Sequence, residues 1–261
     1  MNTSHPIRTV NVVRYITPLR EGGSMPAIVE AGDGFLYVLK FKGAGQGERA
    51  LIAEIIGGEI ARTLGFRVPE LVFMNLEEDF GRTEGDEEIQ DLLKFSVGLN
   101  LGLHYLQGAI TFDPVVDQID EKTASLLVWM DSLLMNVDRT ARNTNMLIWH
   151  KNLWLIDHGA SLYFHHSWDK WEEQATKPFS QIQNHVLINQ AKLLKEADQE
   201  AKKLLTPDKI HKIVSLLPDI WFENDRSFEK PEDFKKNYET FLNQRIAHSD
   251  IFVKEAEDAR S

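Results

Sequence analysis

The stretch that decides the fold class extends from residue 136 to residue 159 and reads NVDRTARNTNMLIWHKNLWLIDHG. Residues 136–145 are mostly polar, as expected of a loop. Two apolar runs of strand length follow, Met146 to His150 and Leu153 to Asp157, and Lys151-Asn152 separates them. A two-residue separation between strand-like runs is typical of a β-hairpin. The stretch therefore predicts a polar loop, a strand, a tight turn and a second strand.

Three polar side chains of this stretch, Asp138, Asn143 and Asp157, occur in the order used for kinase-type phosphoryl transfer. In that chemistry an Asp orients or deprotonates the attacking hydroxyl, while an Asn five positions later and a more distant Asp bind magnesium. Two carboxylates near a polyphosphate repel each other, by about 4 kcal/mol per charge pair at roughly 4 Å and an effective dielectric of about 20. This interpretation therefore requires Mg²⁺, with Asn143 and Asp157 as ligands and Asp138 as the catalytic residue. The alternative is that Asp138 and Asn143 only cap turns.

A lysine interrupts the otherwise apolar strand pattern from Phe35 to Phe41. An unpaired Lys40 ammonium would be costly to remove from water, and the following helix provides Glu54 as a partner. A kinase centre needs such a pair, because the lysine contacts the ATP phosphates and the glutamate holds the lysine. Two alternatives stay open. Glu48 or Glu59 could replace Glu54, or the lysine head could simply extend into water.

A glycine-rich segment, Gly22-Gly23-Ser24-Met25-Pro26, precedes the Lys40 strand. A backbone without Cβ atoms can lie against phosphates and donate N–H groups to them. Because of its position, we interpret the segment as a phosphate-binding loop, with Gly22, Gly23, Ser24 and Lys40 as nucleotide-binding residues. The alternative is an ordinary hairpin turn.

The first third of the chain mixes strand patterns with glycines, whereas the last part has helical periodicity. We predict an α+β fold with a small β-rich N-lobe, residues 1–105, and a larger helical C-lobe, residues 106–261, joined near Gln107-Gly108. The predicted strands are Val10 to Ile16, Ala27 to Glu30, Phe35 to Phe41, Leu71 to Asn75 and Leu99 to Tyr105. The predicted helices are Glu48 to Leu64, a short one ending near Phe95, Ala124 to Asn136, Gln183 to Glu200, Pro207 to Leu217 and Pro231 to Glu257.

Composition excludes several classes of function. The 261 residues are 43% hydrophobic and carry a formal net charge of -11, which argues against nonspecific binding to a nucleic-acid backbone. The chain has no cysteine, so disulfides, thiolate metal sites and thiol nucleophiles are excluded. No signal peptide or membrane-spanning run is evident, and we expect a cytoplasmic protein without membrane partners.

Other conspicuous residues have simpler interpretations. His165-His166 is an adjacent pair without a third ligand at metal-binding spacing, so we expect an exposed loop. Arg139 and Arg142 flank Asp138 and could contact phosphate or a substrate. Structural pairing of these arginines with Asp131 or Glu121 is equally compatible with the sequence.

Taken together, these segments resemble the HipA-like serine/threonine kinases of bacteria, especially their compact members. The resemblance covers roughly residues 20–187, and its order and spacing are specific. It is carried by Gly22-Gly23-Ser24, Val38-Leu39-Lys40, Glu54 ahead of Leu64-Gly65 and Val68-Pro69, Asn136-Val137-Asp138-Arg139 with Asn143, and Leu155-Ile156-Asp157-His158-Gly159.

The resemblance implies a two-lobed protein-kinase-like fold, ATP with Mg²⁺ as cofactors, and autophosphorylation at the position of Ser24. The family also includes toxins that phosphorylate translation proteins, so a protein substrate and an antitoxin are implied partners. The chain departs from eukaryotic-type kinases in lacking His-Arg-Asp, Gly-x-Gly-x-x-Gly and an Ala-Pro-Glu after Asp157. The sequence therefore does not predict the peptide-binding platform of those kinases. Two alternatives stay open: a small-molecule or lipid kinase with the same centre, and a nucleotide-binding pseudokinase that acts as a scaffold.

Overall fold

The computed structural model describes residues 7–19, 25–81 and 85–260. The chain forms two compact units, the first comprising Met1–Ile52 and Pro69–Gly108 and the second comprising Ala53–Val68 and Ala109–Ser261. The predicted domain boundary between residues 105 and 106 stays a prediction. The units differ from it in two respects: the first unit extends to Gly108, and most of the helix that bears Glu54 is grouped with the second unit.

The first unit is built on a closed five-stranded barrel with the strand order β1-β2-β3-β5-β4. Strand β1 pairs with β4 in parallel, and the other neighbours pair antiparallel. The strands are β1 (Thr9–Pro18), β2 (Ala27–Ala31), β3 (Leu36–Lys40), β4 (Leu71–Leu76) and β5 (Gly98–His104).

Alternating burial along β2 and β3 shows why these residues form strands. Ala27, Val29, Tyr37 and Leu39 are fully buried, whereas the residues between them are only partly buried. An apolar face toward the core and a more polar opposite face is the pattern that a strand of a barrel requires.

Two helices accompany the barrel strands in sequence. Helix α1 (Glu48–Thr63) ends where the sequence predicted, because Gly65 adopts a left-handed φ of 93° and its N–H bonds to the carbonyl of Arg62. Helix α2 (Glu87–Phe95) begins at Asp86, whose carboxylate accepts the N–H of Glu88 as an N-cap.

The second unit is mainly helical and is organised around α3 (Glu121–Leu134), which is buried from Ala124 to its end. A small sheet, β6 (Ile110–Thr111), β7 (Met146–Trp149) and β8 (Asn152–Leu155), lies in the same unit. The α+β class is thus confirmed. The remaining helices are α4 (Trp171–Ala175), α5 (Leu194–Leu204), α6 (Pro207–Val214), α7 (Pro231–Ala247) and α8 (Ser249–Ala259).

The prediction of one helix from Gln183 to Glu200 is wrong over its first half. Short 3₁₀ turns at Ser180–Asn184 and Ile188–Gln190 precede α5. Backbone groups of this segment bond elsewhere, since the N–H of Val186 donates to the carbonyl of Arg139 and the N–H of Leu193 donates to Ser125 Oγ. Tertiary contacts therefore override the local helical pattern.

The helix predicted from Pro231 to Glu257 is two helices, because His248 leaves the helical conformation between α7 and α8. The start of α6 agrees with the sequence, and Thr206 accepts the N–H of Lys209 as the predicted N-cap. Across the described ranges, every helix is too short or too polar to cross a membrane.

Candidate active site

The loop that bears Asp138, residues 136–145, begins at the end of α3. Met135 ends the helix in the left-handed conformation, with φ 54° and ψ 43°. Asn136 then accepts the N–H of Asp138 on its side-chain oxygen at 3.0 Å. The buried helix thereby fixes the start of the loop that bears the predicted catalytic residue, Asp138.

Two amide side chains hold the Asp138 carboxylate. Asn143 Nδ2 donates to Asp138 Oδ2 at 2.7 Å, and Asn145 Nδ2 donates to the same oxygen at 3.1 Å. The structure therefore brings two of the predicted site residues, Asp138 and Asn143, into direct contact. Asn145 also contacts Asp138, although the sequence did not predict it as a site residue. Its position, directly before the apolar run from Met146, was the feature that could have indicated this role.

The hairpin after this loop returns the chain to it. The N–H of Ile156 donates to the carbonyl of Asn145 at 3.1 Å, and the N–H of Val137 donates to the carbonyl of Ala160 at 3.2 Å. Asp157 lies between these two attachment points in a left-handed conformation, with φ 54°. The hairpin thus performs the function expected of it, since it places Asp157 beside the loop of Asp138.

The turn of the hairpin is one residue earlier than predicted. Trp149 pairs with Asn152, so His150 and Lys151 form the two-residue turn in place of Lys151-Asn152. Both have positive φ, 48° and 63°, as a type I′ turn requires. The right-handed twist of the strands selects this turn even though neither residue is glycine, asparagine or aspartate.

A buried polar network supports the loop from behind. Asp131 Oδ2 accepts Arg139 Nε at 2.6 Å and contacts His185 Nε2 at 3.0 Å, while Asp131 Oδ1 accepts Asn136 Nδ2 at 3.0 Å. Arg139 also donates to the carbonyls of the loop's last residues, Thr144 and Asn145. Of the open alternatives for Arg139, structural pairing with Asp131 is the one observed, and Arg142 is exposed.

Electrostatics determines the charge states in this network. Burial would raise the pKa of Asp131, but Arg139 and His185 outweigh it and hold that pKa well below the ordinary value. Burial lowers the pKa of His185 despite its contact with Asp131. His185 Nδ1 accepts the N–H of Leu187 at 3.0 Å, so the proton of a neutral ring lies on Nε2, facing the carboxylate.

Glu54 is fully buried and contacts the segment that follows Asp157. Its Oε2 accepts the N–H of His158 at 2.9 Å, and its Oε1 lies 3.4 Å from His158 Nδ1. A Cβ on Gly57 would lie 2.5 Å from the Cβ of His158, so only glycine permits this approach. Gly57 therefore allows α1 to approach His158 at this point. Glu59, an alternative partner for Lys40, forms an ion pair with Arg62.

Arg245 of α7 stabilises the end of α3 just before the loop. It is 1% exposed, and burial lowers its pKa to about 10, so it remains charged at neutral pH. Carbonyl oxygens at a helix C-terminus carry partial negative charge and favour a cation. Arg245 donates to the carbonyls of Ser132, Leu133, Gln174, Ala175 and Lys177.

Lys40 is the last residue of β3 in the first unit and is partly buried. Its pairing with Glu54 stays a prediction. Gly22, Gly23 and Ser24 lie outside the described residues, so their predicted role in binding phosphates also stays a prediction.

The residues of the second unit fit a divalent cation that is bound together with a nucleotide. Asn143 bonds Asp138 through its amide nitrogen, so its amide oxygen is the atom that would bind a cation, together with the Asp157 carboxylate. Within the described part of the chain, no group of three or more His, Asp or Glu side chains could hold a metal by itself. Magnesium suits such a site, because it commonly binds one or two protein oxygens and completes its shell with phosphates and water.

The interpretation of His165-His166 as an exposed loop is wrong. His165 is fully buried, and its Nδ1 lies 2.9 Å from the hydroxyl of Tyr238. Stacking of Phe164 on Phe241, with ring centroids 3.8 Å apart, holds the same short turn against α7. The pair therefore belongs to an aromatic core.

Comparison with known proteins identifies the class of this fold. The crystal structure of the Helicobacter pylori proinflammatory kinase CtkA is similar over 97% of both chains, at 13% sequence identity and a TM-score of 0.56. Identity this low shows the fold alone, which is a protein-kinase-like fold. The family follows from a separate comparison. The family model described as HipA-like kinase matches residues 12–254, so the chain belongs to the HipA-like kinases, as the resemblance in the sequence indicated.

Two further structures are similar over most of this chain. The Golgi casein kinase with Mn/ADP bound matches 99% of this chain and 75% of its own, at 13% identity and a TM-score of 0.44. Another structure of the Golgi casein kinase matches 98% and 73%, at 11% identity and a TM-score of 0.45. No curated protein matches the chain.

Proposed function

We propose that this HipA-like kinase transfers the γ-phosphoryl group of ATP, with Mg²⁺, to the hydroxyl of a protein serine or threonine. One observation carries the proposal: Asn143 holds the Asp138 carboxylate, while the hairpin attaches the segment of Asp157 to the same loop. The chemistry needs an acceptor-orienting carboxylate next to two oxygen ligands for a cation.

Each residue has a distinct role in this proposal. Asp138 orients the acceptor hydroxyl and receives its proton, and Asn143 and Asp157 hold Mg²⁺. Lys40 contacts the phosphates, and Glu54 positions Lys40 and also holds the backbone beside Asp157 through His158. When bound, Mg²⁺ neutralises the charge on the phosphate oxygens.

A protein acceptor is proposed because the chain belongs to the HipA-like kinases. A protein substrate is accordingly the partner that the proposal requires, in the cytoplasm, and the segment Gly22-Gly23-Ser24 would bind phosphates and carry the autophosphorylated serine. An antitoxin partner stays a prediction from the resemblance. The lack of an Ala-Pro-Glu motif after Asp157 keeps small-molecule acceptors among the outcomes of the test.

A labelled-phosphate assay tests the proposal. The wild type, Asp138→Asn and Asp157→Asn would be incubated with γ-labelled ATP and MgCl₂, and label would be measured in casein and in the chain itself. Asp208→Asn is the matched control, because it makes the same chemical change at an exposed position of α6, where Asp208 pairs with Lys212. We expect the control to equal the wild type and both site variants to lose at least about a hundredfold in rate.

Equal label in all four proteins would refute the catalytic assignment. ATP binding by the wild type without transfer to protein, to water or to a panel of small-molecule and lipid hydroxyl acceptors would instead indicate the pseudokinase alternative, and transfer only to a member of that panel would indicate the small-molecule or lipid kinase. Mapping the label tests the autophosphorylation step separately, since Ser24→Ala should abolish labelling of the chain while transfer to casein continues.

A further inference from the structure

Asn145 differs from its neighbours in how it is held. It is only 6% exposed, whereas Asn143 is exposed. Its backbone has φ 48°, a left-handed conformation that asparagine and glycine tolerate best among the natural residues. Burial restricts the rotation of this side chain, and its amide donates to the Asp138 carboxylate.

Three elements of the candidate active site meet at Asn145. Its Nδ2 donates to the Asp138 carboxylate at 3.1 Å and lies 3.4 Å from the Asp138 carbonyl. Its own carbonyl accepts the N–H of Ile156, at the entrance to the Asp157 segment, and also a guanidinium N–H of Arg139. Arg139 is in turn anchored to Asp131 in the core.

Both amides bond to the same carboxylate oxygen, Asp138 Oδ2. Two donors on one oxygen restrict the rotation of the carboxylate, which would leave Oδ1 as the oxygen for an acceptor hydroxyl. Asn143 is exposed and is the proposed cation ligand, so its orientation depends on what is bound. Asn145, in contrast, is not a proposed cation ligand.

We propose that Asn145 is the positioning residue that orients the Asp138 carboxylate toward the acceptor, independently of the metal. The inference rests on the proposed function. The two asparagines of the loop then have different roles. Asn143 binds the metal with its nucleotide, and Asn145 aligns the carboxylate with the acceptor.

The test compares Asn145→Gly, Asn145→Asp, Asn143→Gly and Asp138→Asn with the wild type, with γ-labelled ATP, MgCl₂ and casein. Glycine tolerates the left-handed backbone and removes the whole side chain with its amide donor, whereas aspartate keeps the shape and replaces the donor with a second acceptor. For Asn145→Gly we expect kcat to fall by about 10- to 100-fold, with KM for ATP and the half-activating Mg²⁺ concentration within about twofold of wild type. Asn145→Asp should lose more, because its carboxylate repels Asp138. Asn143→Gly should raise the Mg²⁺ requirement.

The outcomes separate the inference from the proposed function. If Asp138→Asn equals the wild type, the proposed function fails. If Asp138→Asn loses activity and Asn145→Gly keeps the wild-type kcat, only the role of Asn145 fails. The role also fails if Asn145→Gly raises the Mg²⁺ requirement as much as Asn143→Gly does. Thermal unfolding of each variant identifies any that does not fold. If one of Asn145→Gly and Asn145→Asp does not fold, the other tests the role of Asn145.

Discussion

Gly57→Ala tests whether α1 and the segment after Asp157 are in contact as closely as the structure shows. The added Cβ would lie 2.5 Å from His158 Cβ and 2.9 Å from His158 Cγ. Ordinary carbon contacts begin at about 3.5 Å, so the segment would have to move by about 1 Å. Movement at this point would stretch the 2.9 Å hydrogen bond from the N–H of His158 to Glu54.

Two opposing terms set the size of the effect. Overpacking a well-packed core costs about 1–3 kcal/mol. Alanine in a helix interior is favoured over glycine by up to about 1 kcal/mol. We therefore expect Gly57→Ala to lower the free energy of unfolding by about 1–2 kcal/mol, which urea denaturation would register as a midpoint shift of roughly 0.5–1 M. Phosphoryl transfer should also fall, because Asp157 is adjacent to the displaced residue.

Gly57→Ala combined with each of two His158 substitutions tests whether contact with His158 causes the loss of stability. His158→Gly removes the atoms that the new Cβ would meet, so Gly57→Ala should there stabilise the protein by about 0.5–1 kcal/mol through helix propensity alone. His158→Ala keeps the Cβ, and the penalty should persist. If Gly57→Ala changes stability equally in the wild type and in both His158 variants, Gly57 and His158 are not in close contact.

Two further predictions concern the buried network and the hairpin. Burial lowers the pKa of His185 from its ordinary value of 6.5 in the folded protein. As the pH falls, the unfolded chain therefore binds a proton at His185 at a higher pH than the folded chain does. Stability that is present above about pH 6.5 should accordingly be lost as the pH falls. His185→Gln should flatten that pH dependence in urea unfolding measured from pH 7 to pH 5, and an unchanged slope would contradict the assignment. In the hairpin, His150→Asn with Lys151→Gly suits the positive φ of both residues and should raise stability by about 1 kcal/mol without changing phosphoryl transfer. Lys151→Asn with Asn152→Gly, which moves the turn by one residue, should lower stability, and the reverse ranking would refute the observed register.

Local patterns were sufficient for much of the fold. The strands of the barrel and the end of α1 at Gly65 follow from side-chain alternation and from the conformational freedom of glycine, both of which act over a few residues. The turn of the hairpin was misplaced by one residue, because strand twist, and not residue preference, selected His150-Lys151. The helix predicted from Gln183 is absent over its first half because the backbone N–H groups of Val186 and Leu193 bond to Arg139 and Ser125, far away in the chain.

What the sequence by itself determined is the set of polar residues in the candidate active site: Asp138, Asn143 and Asp157 in order, with a hairpin that returns the chain from the first of them to the last. Tertiary structure alone decided how that set is held. Glu54 contacts His158 across 104 positions of sequence, and His185 contacts Asp131 across 54. Nothing in a local pattern encodes such pairings, since they depend on which buried groups meet when the core closes and each must then find a hydrogen-bond partner. Asn145 shows the same division, because its residue type suits a left-handed turn, and only the folded loop directs its amide to the carboxylate of Asp138.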